Sequence, residues 1–164
     1  MATDAYLTID GVKGESLDSE YKDKIEILSF SHSMTQPASA TASSAGGGTV
    51  GRTQHGDFVI TKYMDLASPK LYELCCGGKP VASVTLDLLR SSGDSRVKYM
   101  SIAMKEVVVS QVTSSGGGSD LPTESVAFNY GSIVWTYTQQ KRKDGSKGGN
   151  AAAGWDLTAN KAAA

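Results

Sequence analysis

The sequence predicts a mainly β protein, a small barrel or sandwich with one short α-helix. Short apolar segments recur about every ten residues, and glycine, serine and aspartate residues separate them. Such spacing is typical of antiparallel strands in barrels and sandwiches. Only one segment carries the start and stop signals of a helix. The length of 164 residues fits a single domain over residues 1–164, whose core needs no disulfide or metal.

The first two predicted strands occupy residues 5–10 and 25–34. At positions 28–34 large apolar side chains alternate with serines, a period of two residues that predicts one buried and one solvent-facing side. Ile25 and Ile27 break this alternation, which indicates a bulge or a stretch buried on both sides. The side chains expected to face the core are Leu28, Phe30 and Met34. Those expected to face solvent are Ser29, Ser31 and Ser33.

Residues 36–54 are rich in serine, alanine, glycine and threonine and contain no aromatic residue. This composition buries too little apolar area to offset the entropy of ordering, so we expect a flexible loop. Gly46, Gly48 and Gly51 have the spacing of a phosphate-binding loop. Such a loop needs an apolar strand before it and a helix after it, and neither is predicted here. We therefore expect no nucleotide binding.

A strand over residues 57–62 precedes the one predicted helix, which begins near Ser68 and ends near Gly78. Serine is a favoured N-cap, and the proline that follows it suits the first helical turn. Glycine is the usual residue after the last helical turn. The helix has only about two turns, so it must pack on a sheet to be stable. Its apolar face comprises Leu71, Leu74 and Cys75.

The second half of the chain contains most of the predicted strands. Polar Lys105 and Glu106 interrupt one apolar run, and glycine-containing turns are expected at residues 91–95 and 114–120. The predicted strands are residues 81–90, 97–104, 107–112, 125–130 and 133–138. Residues 139–164 are predicted to form a polar C-terminal tail with a basic run, Lys141 to Lys143, that is most simply a solvated loop.

Charge and hydropathy exclude several classes of protein. Sixteen basic and seventeen acidic residues give a net charge of −1, which does not suit a nucleic-acid-binding protein. The apolar runs are far shorter than the ~20 residues that cross a bilayer, so we expect no membrane insertion. The N-terminus lacks a basic segment followed by an apolar one, so we expect no secretory signal peptide.

The sequence contains no recognisable catalytic, cofactor-binding or metal-binding site. Cys75 and Cys76 are adjacent, and with His32 and His55 they do not have the spacing of zinc ligands. One histidine falls in a predicted strand and the other at the end of a loop, so no catalytic triad can be assembled from them. We expect a protein that is not an enzyme and uses no cofactor.

Several short motifs occur in a distinctive order between about Thr3 and Lys161. They are Gly-Val-Lys-Gly-Glu-Ser at 11–16, Ile-Glu-Ile-Leu-Ser-Phe-Ser at 25–31, Phe58 with Thr61, Lys62 and Asp65, Ala-Ser-Pro-Lys-Leu at 67–71, the glycines at 77–78 and Gly-Trp-Asp at 154–156. Each motif is weak alone, but together they resemble the Hcp family, the inner-tube proteins of bacterial type VI secretion systems. Many members of that family carry an aromatic residue at the position of His32.

The resemblance implies a small β-barrel of two packed sheets with one helix at its side. It implies that six copies close into a ring and that rings stack into a tube, inside a contractile sheath and beneath a spike protein. It further implies that the tube and small effector proteins carried in its lumen are exported together. The chain is therefore expected in the cytoplasm before assembly and outside the cell afterwards.

The residues suggest two surfaces for such an assembly. The candidates for contact with the lumen and with effectors are Ser29, Ser31 and Ser33. The candidates for a ring-stacking loop are Gly46, Gly47, Gly48 and Arg52. A tail-tube protein of a phage or of another contractile injection system would have the same architecture. A monomeric β-sandwich binding module is a weaker alternative, because no stripe of exposed aromatic residues is evident.

Overall fold

The computed structural model describes residues 3–38, 51–92 and 95–163, and in these ranges the chain forms twelve strands and one helix. The elements are β1 (Thr3–Ile9), β2 (Ile25–Glu26), β3 (Ser29–Ser31), β4 (Met34–Thr35), β5 (Gln54–His55), β6 (Phe58–Tyr63), α1 (Ser68–Gly77), β7 (Val81–Ser92), β8 (Ser95–Ser115), β9 (Thr123–Asn129), β10 (Ser132–Gln140), β11 (Lys147–Asp156) and β12 (Lys161–Ala162). The prediction of a mainly β protein with one short helix is confirmed.

Ten of the strands form two antiparallel sheets that share β8, and β4 and β5 pair separately. The large sheet has the order β12-β11-β10-β8-β7-β1-β2, and the small sheet has the order β3-β6-β9-β8. The first half of β8 pairs with β7 and β10, and its second half pairs with β9. The strand turns between the sheets at Lys105 and Glu106, where Glu106 has a φ of 53°. The polar interruption in the sequence marks this corner, and not the end of a strand.

A second crossing between the sheets closes the barrel at residues 25–31. The amide of Ile27 donates to the carbonyl of Ala5 in β1 at 3.1 Å, and the next amide, Leu28, donates to Thr61 in β6 at 2.7 Å. The chain therefore leaves the large sheet and enters the small sheet within one residue. The expectation of one regular strand over residues 25–34 was wrong, because this change of partner divides the segment into β2, β3 and β4.

After this crossing the apolar side chains of the segment are less buried than expected, whereas Ser29, Ser31 and Ser33 are exposed as expected. Ile25 and Ile27, which broke the alternation, are the buried residues. The side chains expected in the core are instead 52% exposed at Leu28, 41% at Phe30 and 51% at Met34. The imperfect alternation was therefore the informative signal, since it marked the residues that face the core before the chain changes sheets.

The core lies between the two sheets and beneath α1. The large sheet contributes Leu7, Val84 and Leu86, and the small sheet contributes Phe58 and Phe128, all fully buried. The apolar face of the helix closes the remaining side through Leu71 and Leu74, as predicted. The partly buried Cys75 packs against this core, whereas Cys76 is exposed.

The helix has the predicted bounds but a different N-cap. Ala67 occupies the N-cap position without a side-chain hydrogen bond, and Ser68 is the first helical residue. The hydroxyl of Ser68 is used in a buried polar cluster, which explains why it does not cap the helix. Gly78 ends the helix in the left-handed region, with a φ of 60°, as glycine favours. In the described ranges, no helix is long and apolar enough to cross a membrane.

The polar segment 139–164 provides the outer strands of the large sheet. Strand β11 pairs with β10 along most of its length, from Ser132 opposite Asp156 to Gln140 opposite Lys147. Strand β12 then pairs with the end of β11. The basic run forms the short turn between β10 and β11, where its side chains are exposed.

Candidate assembly surfaces

The outer face of the small sheet carries a row of small hydroxyl side chains. Ser29 lies opposite Thr61, Thr61 opposite Ser125, and Ser125 opposite Thr113, so the row crosses all four strands. Residues directly opposite each other on neighbouring strands point to the same face. Two of these four side chains, Ser29 and Thr113, are exposed, and the two on the central strands are partly buried.

A second row follows from Ser31, which is exposed. It lies opposite Val59, which lies opposite Ala127, and Ala127 lies opposite Gln111. The two rows make this face a surface of short, mostly polar side chains. Ser33, the third predicted residue, lies beyond the end of β3 and is exposed, and its carbonyl accepts a hydrogen bond of 2.9 Å from the amide of Gly56. The structure thus places Ser29 and Ser31 on one surface and leaves Ser33 at its margin.

The inner face of the same sheet anchors the helix through a buried ion pair. Lys62 Nζ lies 2.6 Å from Glu124 Oε1. The hydroxyls of Ser68 and Tyr72, both in α1, donate to the same carboxylate at 2.6 Å each. Burial alone would raise the pKa of Glu124, but the hydrogen bonds from Lys62, Ser68 and Tyr72 outweigh it and lower that pKa. The Glu124 carboxylate therefore joins two side chains of the helix to the sheet, in addition to the packing of Leu71 and Leu74.

Strands β4 and β5 pair with each other and form an arm, and Arg52, one of the predicted ring-stacking residues, lies just before β5. Gly46, Gly47 and Gly48 fall outside the described residues. At the ends of the arm, the Gly51 amide donates to the carbonyl of Pro37 at 2.9 Å, and Gln36 donates to the carbonyl of Gly51. The exposed side chain of Arg52 donates to the carbonyl of Leu157, just after β11. Arg52 thus connects the arm to the C-terminal part of its own chain.

The two histidines, which lie 23 positions apart in the sequence, meet at the base of the arm. The hydroxyl of Tyr130 lies 2.6 Å from His32 Nε2 and 2.6 Å from His55 Nδ1. A phenol can donate to one neutral imidazole and accept an N–H from the other, so the Tyr130 hydroxyl can bond to both rings at once. Burial lowers the pKa of both histidines, and for His32 the charge of the neighbouring His55 lowers it further. Burial, with a contribution from Asp57, raises the pKa of Tyr130.

A cavity of about 310 Å³ lies beside this cluster, between the arm and the β10–β11 hairpin. Met34, His55, Trp135 and Trp155 are among its lining residues. The indole nitrogen Nε1 of Trp155 is buried without a hydrogen-bond partner in the described part of the chain. Among the described residues, no group of three or more His, Cys, Asp or Glu side chains is arranged to hold a metal ion.

An exposed apolar patch lies where the loop after β1 meets the ends of β6 and β9. Leu17 is 89% exposed and Leu121 is 71% exposed, and Tyr63 and Met64 complete the patch around a cavity of about 410 Å³. The rim carries the carboxylates of Glu15 and Glu26. Large contiguous apolar surfaces on soluble domains usually mark sites of contact with another protein.

Sequence reasoning found part of the hydroxyl face and missed the rest. Ser29 and Ser31 were identified from the period of two in their own segment, and the same period in residues 123–129 could have identified Ser125. The addition of Thr61 and Thr113 needed the register between strands, which a single sequence does not give. The apolar patch was missed because its residues come from separate loops.

Comparison with known proteins places this architecture in a family. Residues 6–137 match the family model described as type VI secretion system effector, Hcp. The chain is 35% identical over 161 residues to protein hcp1 of Pseudomonas aeruginosa, with 98% of each chain covered. A solved structure of a type six secretion system protein is 32% identical, with a TM-score of 0.91, and the match covers 99% of this chain and 100% of that one.

The crystal structure of Hcp1 from Salmonella typhimurium is also similar, with 28% identity and a TM-score of 0.82. The match covers 99% of this chain and 100% of that chain. The similarity therefore extends over both sheets, the helix and the strands that follow the basic turn. On the strength of the family match and of a relative that is 35% identical from end to end, the chain belongs to the Hcp family of type VI secretion systems.

Proposed function

We propose that this chain is the structural subunit of a type VI secretion inner tube and that it acts by assembly and not by catalysis. Six copies close into a ring, and rings stack into the tube that is exported. The observation that carries the proposal is similarity to Hcp proteins along the whole chain. The family match favours this machine over a phage tail or a monomeric binding module.

The outer face of the small sheet is the part of the surface that we propose for the lumen. Ser29 and Ser31 have short side chains, so they leave space for a passenger, and their hydroxyls both donate and accept hydrogen bonds. Thr61, Ser125 and Thr113 extend this surface across the sheet. Small effector proteins carried in the lumen would contact it before export.

The arm is proposed for contact between stacked rings. Its candidates are those named from the sequence, Gly46, Gly47, Gly48 and Arg52. The further partners are a contractile sheath around the tube and a spike protein at its end. We propose that the chain is made and assembled in the cytoplasm and then leaves the cell by contraction of the sheath, without a signal peptide.

Native mass spectrometry of the purified chain tests the assembly. We expect a closed ring of six subunits, and a strict monomer at high micromolar protein concentration would contradict the proposal. Export is tested separately by detecting the chain in culture supernatants of cells that carry or lack the sheath protein. We expect the chain in the medium only when the sheath is present, and equal amounts in both cultures would contradict export by contraction.

A further inference from the structure

The apolar patch around Leu17 has an acidic rim with unpaired charge. In the described part of the chain, the exposed Glu26 forms no ion pair, and the Glu15 carboxylate accepts a bond only from the amide of Leu66, at 3.1 Å. The described residues that line the cavity include no lysine or arginine. The patch therefore combines an apolar floor with negative charge at its edge.

The turn between β10 and β11 has the opposite charge to the rim of the patch, because it carries basic side chains. The backbone closes it through a bond of 2.8 Å from the amide of Lys141 to the carbonyl of Ser146, and Asp144 accepts two bonds from Ser146. The side chains of Arg142 and Lys143 are exposed and form no ion pair with another described residue. The turn is thus an ordered loop that presents basic side chains to solvent.

We propose that the basic turn of one subunit docks onto the acid-rimmed apolar patch of a second copy of this chain. The inference rests on the proposed function, because it assigns a contact within the tube. The turn has no large apolar side chain, but the aliphatic stems of lysine and arginine cover apolar surface while their charged ends reach carboxylates at its edge. A guanidinium also packs favourably on an aromatic ring such as that of Tyr63.

The contact is head-to-tail, since the turn and the patch are different surfaces of one chain. A contact of this kind either closes into a ring or repeats along an axis, and a tube of stacked rings contains both kinds. It also explains two features that a single subunit leaves without a partner. These are the exposed leucines of the patch and the charges on each side that form no ion pair with another residue in the described ranges.

A charge swap tests the contact. One variant carries Arg142→Glu and Lys143→Glu, and a second carries Glu15→Lys and Glu26→Lys. Sedimentation velocity over a range of protein concentrations measures the populations of monomers, rings and stacks. Each variant should need about tenfold more protein for half-maximal assembly, because attractive pairs become repulsive ones. The four-residue swap should restore assembly, since the pairs are re-formed with opposite sign.

The matched control is Lys22→Glu with Lys79→Glu, which reverses two exposed basic residues that belong neither to the turn nor to the lining of the patch. Circular dichroism verifies that every variant is folded. The contact is supported if the two-residue variants lose rings, or lose stacks while rings remain, and the four-residue swap restores what was lost. Assembly that tolerates either reversal, or a swap that fails to restore it, overturns the contact. If the wild-type chain forms no rings, the proposed function is overturned. Results from the variants alone test only the contact and not the proposed function.

Discussion

The Nζ atom of Lys62 lies 2.6 Å from Oε1 of Glu124, and neither side chain is exposed to solvent. The two residues are direct neighbours on β6 and β9, and both point to the inner face of the small sheet, beneath α1. Lys62 also donates to Asp65 at 2.7 Å, on the segment that leads into the helix. One lysine therefore joins the sheet to the start of the helix.

Replacement of Lys62 by methionine should lower the free energy of unfolding by about 3–5 kcal/mol, because the Glu124 carboxylate then stays buried without its cation. Urea denaturation followed by circular dichroism measures the loss. The double variant Lys62→Met with Glu124→Leu should recover much of it, since two apolar side chains replace the ion pair. A single variant that unfolds at the same urea concentration as the wild type would show that the pair contributes nothing.

A second prediction concerns the corner of β8. Glu106 has a φ of 53°, in the left-handed region that β-branched residues rarely adopt, and its carbonyl accepts a bond of 3.2 Å from Gly131. Glu106→Val should lower the free energy of unfolding by about 1–3 kcal/mol, because it strains the backbone where the two sheets join. Glu106→Gly should keep it within about 1 kcal/mol, since relief of strain offsets the entropy of glycine. Equal stability of the two variants would contradict this account.

Features of the fold that depend on near neighbours in the sequence could be predicted from it. Local signals were sufficient for the helix, because the glycine at its end and the spacing of Leu71 and Leu74 depend only on near neighbours. Period-two patterns located β7, β9 and β10 for the same reason, but β8 was predicted as two strands and β11 as part of a polar tail. The polar pair at 105–106 correctly marked an interruption of the apolar pattern. Whether such a pair ends a strand or bends it depends on which strands pair with the residues on each side.

Burial and surface assignment failed where long-range pairing decides them. Leu28 and Met34 were expected in the core, yet the chain changes sheets between Ile27 and Leu28 and leaves them exposed. The contact of His32 with His55 joins residues on both sides of the arm, so no local pattern could reveal it. The candidate hydroxyl face was found on one strand only, because its other members depend on the register of three more strands.

A third prediction tests the proposed lumen surface. Ser31→Gln and Ser125→Gln each add a longer side chain to the outer face of the small sheet, so each should reduce the amount of a co-expressed effector that co-purifies with the rings. Ser119→Gln, in the exposed loop between β8 and β9, is the control. Native mass spectrometry confirms that rings are intact. Unchanged co-purification in both variants would remove this face from the proposed effector site.

The last prediction is a pH dependence set by the contact of His32 and His55 with Tyr130. Burial lowers the pKa of both histidines in the folded chain relative to the unfolded one, whose pKa is roughly 6.5. The unfolded chain therefore binds more protons below that pH. The stability that these residues contribute is complete above about pH 6.5 and is lost as the pH falls through the folded pKa.

The urea midpoint should accordingly fall between pH 7.5 and pH 5.5, and His32→Phe with His55→Gln should reduce this fall because the titrating groups are removed. Tyr130→Phe is the informative control. It keeps the ring that packs between the histidines and removes the hydroxyl that bonds to both, so it should lower stability at pH 7.5 while leaving the fall toward pH 5.5 in place. An identical pH profile in the wild type and the double histidine variant would show that the two histidines do not set the pH dependence.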